Sequence, residues 1–168
     1  SPRMRFDLAI NGMTYGAWKN GTIPLMRDGK QWRPMVHVRD TSAAMNFLLE
    51  ADVKDINGEI YNIGSDQNNY QLRILAEIVA DTLPNDVSIE WYGDPDDRSY
   101  RVSFDKIEEL GFKAKYKAED GVTEISNALD KGLIERNTRT ITLDWYKELV
   151  KWNKIINETS LNGSIIDL

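Results

Sequence analysis

Gly29-Lys30-Gln31-Trp32-Arg33-Pro34-Met35-Val36-His37-Val38-Arg39-Asp40 is the stretch on which the reading of this chain turns. Asp28-Gly29 supplies a turn, Pro34 to Val38 is rich in β-formers and reads as a strand, and Asp40 reads as a helix cap. The turn therefore delivers Arg33 to the start of a strand that ends at a helix. From Asp40 onward Ala43, Ala44, Phe47, Leu48 and Ala51 fall on one helix face, Asn57-Gly58 ends it, and Glu59 to Ile63 reads as a second strand.

The same reading extends in both directions. Upstream, Phe6, Ile10, Met13, Ala17 and Trp18 give a helix over Phe6 to Lys19 with Asn20-Gly21 as its stop, and Ile23 to Met26 is a short extended segment. Downstream, Gly64-Ser65-Asp66 is a turn, and Leu72, Leu75, Ala76, Val79 and Leu83 mark an amphipathic helix closed by Pro84. Val87 to Tyr92 reads as a strand, Gly93 to Asp97 as an acidic turn, and Ser103 to Leu110 as a short helix stopped by Gly111. Two helices follow: Glu119 to Leu133, and Leu143 to Ile156 with Trp145, Leu149, Trp152 and Ile156 directed inward as core or subunit packing. The tail after Glu158 reads as loose.

Composition narrows the function classes. The chain has 168 residues, 41% hydrophobic and 29% charged, which suits one soluble domain with a real core. No apolar run approaches the ~18 residues of a membrane span, and the start lacks a secretory layout, so no membrane is expected and the cytoplasm is the expected location. Net charge is −6 without a basic run, which argues against nucleic acid as a partner. The absence of cysteine excludes disulfides and thiolate metal sites, and makes the Asn-x-Ser/Thr triplets at Asn157 and Asn162 accidental. Ser1-Pro2-Arg3-Met4 reads as the start of a piece cut from a longer chain.

Several chemical signatures are missing or misleading. No Gly-x-Gly-x-x-Gly loop follows a strand, and there is no Walker loop. The single histidine, His37, alternates with Val36 and Val38 and is read as structural. Tyr15 and Lys19 have the Tyr-x-x-x-Lys spacing of an acid/base pair but no partner serine upstream, and are read as a coincidence. Asp94, Asp96 and Asp97 fit no calcium loop and read as a solvated turn; no metal is expected.

The opening stretch resembles a signature of the extended short-chain dehydrogenases that act on nucleotide sugars, Gly-x-x-x-Arg-(Asp/Pro)-x-(Ile/Val)-His-Val-x-Asp. Ile23-Pro24-Leu25-Met26, Tyr61-Asn62-Ile63-Gly64-Ser65, and Asp97-Arg98-Ser99-Tyr100-Arg101-Val102-Ser103-Phe104-Asp105-Lys106-Ile107 with Leu110-Gly111-Phe112 resemble further stretches of that family in the right order. The resemblance covers about residues 1 to 135. It implies an α/β fold: the substrate-binding C-terminal portion of an extended short-chain dehydrogenase, a mixed small sheet with flanking helices, without the Rossmann half. It also implies a helix over 1–22 packing on that missing half, a nucleotide-sugar-binding domain over 23–135, and a C-terminal helix and tail over 136–168.

By the same resemblance Arg33 and Arg98 clasp the sugar-nucleotide diphosphate, with Arg101 a neighbouring competitor for the second role. A guanidinium fork suits two phosphate oxygens better than one ammonium. Pro24, Leu25 and Met26 form a shelf for the base or pack in the core; Gln31 and Tyr100 touch phosphate or ribose or face solvent. Asp7 and Asn11 each stand near the place of a family phosphate ligand, and the role is assigned to neither. The implied activity is that of an NAD-dependent nucleotide-sugar epimerase or dehydratase, with UDP-, dTDP- or similar sugar nucleotides as ligands. NAD belongs to the intact family enzyme and is not expected on this chain, which carries neither the NAD motif nor the catalytic Tyr and Lys. The alternative is a non-catalytic sugar-nucleotide-binding module or a subunit completing a separate Rossmann partner. A homo-oligomer is left open.

Overall fold

A computed structural model describes residues 4–95 and 97–160. Helix α1 (Ala9–Asn20) ends at Gly21, whose left-handed φ of 67° turns the chain into strand β1 (Thr22–Met26). The reversal is tight, because a Cβ on Gly16 would stand 2.8 Å from the Thr22 carbonyl oxygen. β1 pairs in parallel with β4 (Ser88–Tyr92), Thr22 opposite Ser88 and Met26 opposite Tyr92. β2 (Trp32–Pro34) pairs antiparallel with β3 (Asn69–Gln71), Arg33 opposite Tyr70. The expected mixed small sheet is thus two separate two-stranded ladders.

The remaining helices are α2 (Val38–Glu50), α3 (Val53–Ile56), α4 (Leu72–Thr82), α5 (Asp105–Glu109), α6 (Ala118–Asp130) and α7 (Thr142–Thr159). The main core lies among α1, β1, α4 and α6, where Met13, Ala17, Ile23, Leu25, Leu75, Val79 and Val122 are buried together. Each such large apolar side chain contributes about 1.5–3 kcal/mol. A second cluster joins Ala44 of α2 to Phe104, Ile107 and Phe112, and a third joins Phe6 to Ile125 and Leu129. Helix α1 is part of the first cluster, with its Met13 and Ala17 buried in this core. No helix among the described residues is long and apolar enough to cross a membrane.

Four expectations are corrected by the structure. The strand read over Pro34 to Val38 stops at Pro34, because the His37 side chain accepts the Arg39 N–H at 3.2 Å and begins α2 at Val38. Asp40 is therefore inside the first turn of that helix instead of capping it; it is buried, and its two oxygens accept the N–H groups of Lys115 and Tyr116 at 3.0 Å each. The strand read over Glu59 to Ile63 does not form. No strand among the described residues pairs with it, the Ile60 carbonyl accepts from Lys106 Nζ at 3.0 Å, and the Ile60 residue is 84% exposed. Finally, Trp145, Leu149, Trp152 and Ile156 are not directed into a core, for α7 has no buried residue. The tail read as loose lies, from Leu161 on, outside the described residues.

Candidate functional site

Arg33 sits half-buried in the middle of β2, and the loop carrying Arg98, Ser99 and Tyr100 runs beside it. Its Nη1 donates to the Trp32 carbonyl at 2.8 Å and to the Arg98 carbonyl, and its guanidinium carbon stands 5.3 Å from the Tyr100 ring centroid. Trp32 joins the two segments: its N–H donates to Ser99 Oγ at 3.0 Å and its carbonyl accepts the Tyr100 N–H at 3.3 Å. Arg101 lies with its guanidinium carbon 4.7 Å from the Trp32 ring centroid. Arg33, Arg98 and Tyr100 are thereby brought onto one ledge, with Arg98 and Tyr100 exposed.

Side-chain amides and carboxylates fix that ledge, and sequence reasoning did not single them out for this role. Asn69 on β3 clamps the loop through both ends of its amide, Oδ1 accepting the Val102 N–H and Nδ2 donating to the Val102 carbonyl, each at 2.9 Å. Asp66 Oδ1 accepts the Phe104 N–H at 3.0 Å. A polar line continues inward: the Tyr70 phenol, its pKa raised by burial, donates to Asn68 Oδ1 at 2.9 Å, and Asn68 Nδ2 donates to the Tyr116 carbonyl. The Tyr116 N–H then ends on Asp40. The Asn68-Asn69 pair after a turn was the available signal; nothing local says which backbone groups it would meet.

Other expected residues fall elsewhere. Gln31 is buried; its carbonyl accepts the Leu72 N–H at 3.1 Å while its side-chain Oε1 has no hydrogen-bond partner among the described residues. The Pro24-Leu25-Met26 segment divides: Leu25 is in the core, so the surface it offers is Pro24 and half-buried Met26, on the β1–β4 ladder. Tyr15 packs on Phe6 with centroids 4.9 Å apart, while Lys19 Nζ lies 6.0 Å from the Trp18 ring. His37 caps α2, stacks on Tyr116 at 4.5 Å and places Nε2 3.3 Å from Glu124. A cavity of about 410 Å³ opens beside it, lined in part by Asn11, Met35, Tyr116 and Glu124; neither Arg33 nor Arg98 lines it. Asp7 pairs with Arg5 at 2.9 Å, which holds its carboxyl well down at about 2.

Dinucleotide binding needs a strand that runs through a Gly-rich turn into a helix N-terminus. β1 leads through Arg27 to Gly29 into β2, and β4 leads through Gly93 into the arginine loop. β2 enters α2 through Met35 to His37 and β3 runs directly into α4, so among the described residues no strand meets a helix through a Gly-rich turn.

Comparison with known proteins agrees with this architecture. Residues 2–64 match the model of the NAD dependent epimerase/dehydratase family. The chain is 29% identical over 124 residues to the low-salt glycan biosynthesis protein Agl12 of Haloferax volcanii, an alignment covering 72% of this chain and 39% of that protein. It is similar in structure to DesIV, a dTDP-glucose 4,6-dehydratase from Streptomyces venezuelae solved with NAD and TYD bound, at 27% identity and a TM-score of 0.61 over 76% of this chain and 39% of that one. A UDP-glucuronic acid 4-epimerase from Bacillus cereus shares the fold, with a TM-score of 0.65 at 17% identity over 77% of this chain and 42% of that one. The chain thus spans about two fifths of the length of the relatives it matches.

Proposed function

We propose that this chain is the substrate-gripping C-terminal portion of an NAD-dependent nucleotide-sugar epimerase or dehydratase, and that its β2–loop ledge holds the diphosphate of a UDP-, dTDP- or similar sugar nucleotide. One observation carries the reading: the Arg33 guanidinium rests against the backbone of Arg98 and the ring of Tyr100, so two cationic residues and an aromatic ring share one exposed edge. Arg33 and Arg98 pair with phosphate oxygens and Tyr100 contacts ribose or phosphate, while Pro24 and Met26 offer an apolar shelf for the base. The substrate-holding part spans residues 23–135. Gripping the nucleotide away from the reacting carbon provides binding energy that orients the hexose for chemistry carried out elsewhere.

That chemistry requires a Rossmann half with NAD, which supplies hydride transfer when bound. The exposed flank of α2 supports such a partner over a stand-alone binding module. Val38, Met45 and Leu49 lie on one helix face, and all are exposed, Leu49 at 84%; Val53 and Ile60 nearby in sequence are exposed as well. An unpaired, strand-like Glu59 to Ile63 segment beside an apolar helix face suits a sheet contributed from outside these residues.

Titration calorimetry with dTDP-glucose and UDP-glucose tests the reading. Arg33→Ala is expected to weaken binding by roughly 10- to 100-fold, the loss of one to two charge-assisted hydrogen bonds, and Arg33→Lys to restore part of it. Binding unaffected by Arg33→Ala overturns the assignment, and turnover of a sugar nucleotide by this chain with NAD alone overturns the claim that the catalytic groups lie elsewhere.

A further inference from the structure

Helix α7 is long, well formed and almost unsupported. Its main contacts are with the 3-10 turn Thr138–Thr140 directly before it, and Asp7 anchors its first turn by accepting the Thr142 N–H at 3.3 Å. Yet Thr142, Trp145, Leu149, Trp152, Ile156 and Thr159 recur at alternating spacings of three and four residues, the seam of a two-helix coil. Trp152 is 53% exposed, with Leu149 and Ile156 exposed beside it. Trp145 lines a cavity of about 460 Å³ at the base of the helix together with Met4, Ile134 and Arg139.

We propose that α7 pairs with α7 of a second copy of this chain, antiparallel, about a two-fold axis near Val150 and Lys151. Size and charge both choose that direction. Antiparallel pairing sets Trp145 against Ile156 of the second copy and Leu149 against its Trp152, so each of these central layers combines a bulky ring with an aliphatic chain, and Thr142 meets Thr159 at either end. Parallel pairing stacks tryptophan on tryptophan. The first half of α7 carries Asp144, Lys147 and Glu148, net −1; the second half carries Lys151, Lys154 and Glu158, net +1, so antiparallel helices oppose unlike charge. The C-terminal end of each helix also reaches the cavity at the base of the other.

Area is sufficient for a specific contact. A tryptophan buries about 150–250 Å², so the four tryptophans of such a pair contribute on the order of 500 Å² even with Trp145 already half covered. The leucine, isoleucine and Tyr146 side chains bring the total toward the ~1,000 Å² expected of a biological interface. A self-complementary patch closing on itself is the commonest form of oligomer. This pairing is independent of the sugar-nucleotide proposal and is read out by mass and cross-linking, not by ligand binding.

Sedimentation velocity on the full 168-residue chain of 19.3 kDa tests it, with a reversible dimer expected in the micromolar range. Leu149→Lys and Trp152→Lys, separately, are expected to weaken association at least tenfold while leaving the thermal unfolding midpoint of the body unchanged. Because the chain has no cysteine, Trp145→Cys and Ile156→Cys can be introduced singly and mixed. The mixture is expected to form a disulfide between unlike variants, whereas in an antiparallel pair two copies of residue 145 lie about 16 Å apart along the axis and stay reduced. A monomer at 100 µM, or a dimer indifferent to both lysine variants because another surface or the chain's own residues 161–168 covers the seam, overturns the proposal. Preferential Trp145→Cys homodimers overturn the direction of pairing.

Discussion

The β2–loop ledge and the α2 flank lie on either side of His37, and they are finished to different degrees. On the ledge side segments are tied to one another by side-chain polar groups: buried Asn69 to Val102, Asp66 to Phe104, and buried Asp40 to Lys115 and Tyr116. On the flank Met45, Leu49 and Val53 face solvent and Glu59 to Ile63 has no ladder to join. The contrast teaches that the ledge is tied together by polar contacts within the chain, while the apolar face of the flank is left uncovered among the described residues. Ordered exposed charge marks a surface meant for a soluble ligand, and ordered exposed hydrocarbon a surface meant for more protein.

That comparison can be broken most directly at Asp40. Replacing it by Ala takes the buried acceptor away from the Lys115 and Tyr116 N–H groups and is expected to cost about 2 kcal/mol, read by urea unfolding; a loss under about 0.5 kcal/mol would mean the ledge is not held from within. Next, and of similar size, is Gly64→Ala. An added Cβ would stand 2.6 Å from the Phe104 ring, so the turn that joins the flank to the ledge must shift, with an expected loss of about 2 kcal/mol.

On the flank the expectation is nearly the opposite. Leu49→Glu should leave stability within about 0.5 kcal/mol while reducing binding of an apolar dye such as ANS, since the side chain has little packing to lose; marked destabilisation would show that the face is covered within the chain. The smallest effect sharpens the anchorage of α7. The Asp7 carboxyl is depressed from 3.8 to about 2, first by its hydrogen bond to Arg5. A depressed carboxylate stabilises the fold above its unfolded pKa, and that contribution is lost as pH falls from about 4 through 2. Being largely exposed, the pair is worth under about 1 kcal/mol, and Asp7→Asn should remove just that acid-limb slope from a pH series of unfolding midpoints.

How much of this was legible in the sequence follows the same division. Helices α4 and α6 could be read from spacing because Leu75, Val79, Val122 and Leu129 are buried against partners inside the chain. Glu59 to Ile63 and the inward face of α7 were misread for a shared reason: alternation and heptad spacing report that a segment wants a partner, not that this chain contains one. The Pro34 to Val38 strand was cut short by a single histidine cap that β-propensity does not see. Arg33, Arg98 and Tyr100 could be grouped only through the family resemblance, since they lie on segments separated by three α-helices and two strands. Asp40 and Asn69 were not legible as supports, because their partners are backbone groups far along the chain.

The amide clamp of Asn69 carries a consequence for conditions of assay. The tether at Val102 is a carboxamide without net charge, so added electrolyte should not displace it. Ionic strength ought then to weaken anion capture by the arginines as pure screening, with the geometry of the ledge constant. A salt titration of affinity would report the charges alone, undistorted by any rearrangement of the segment that bears them.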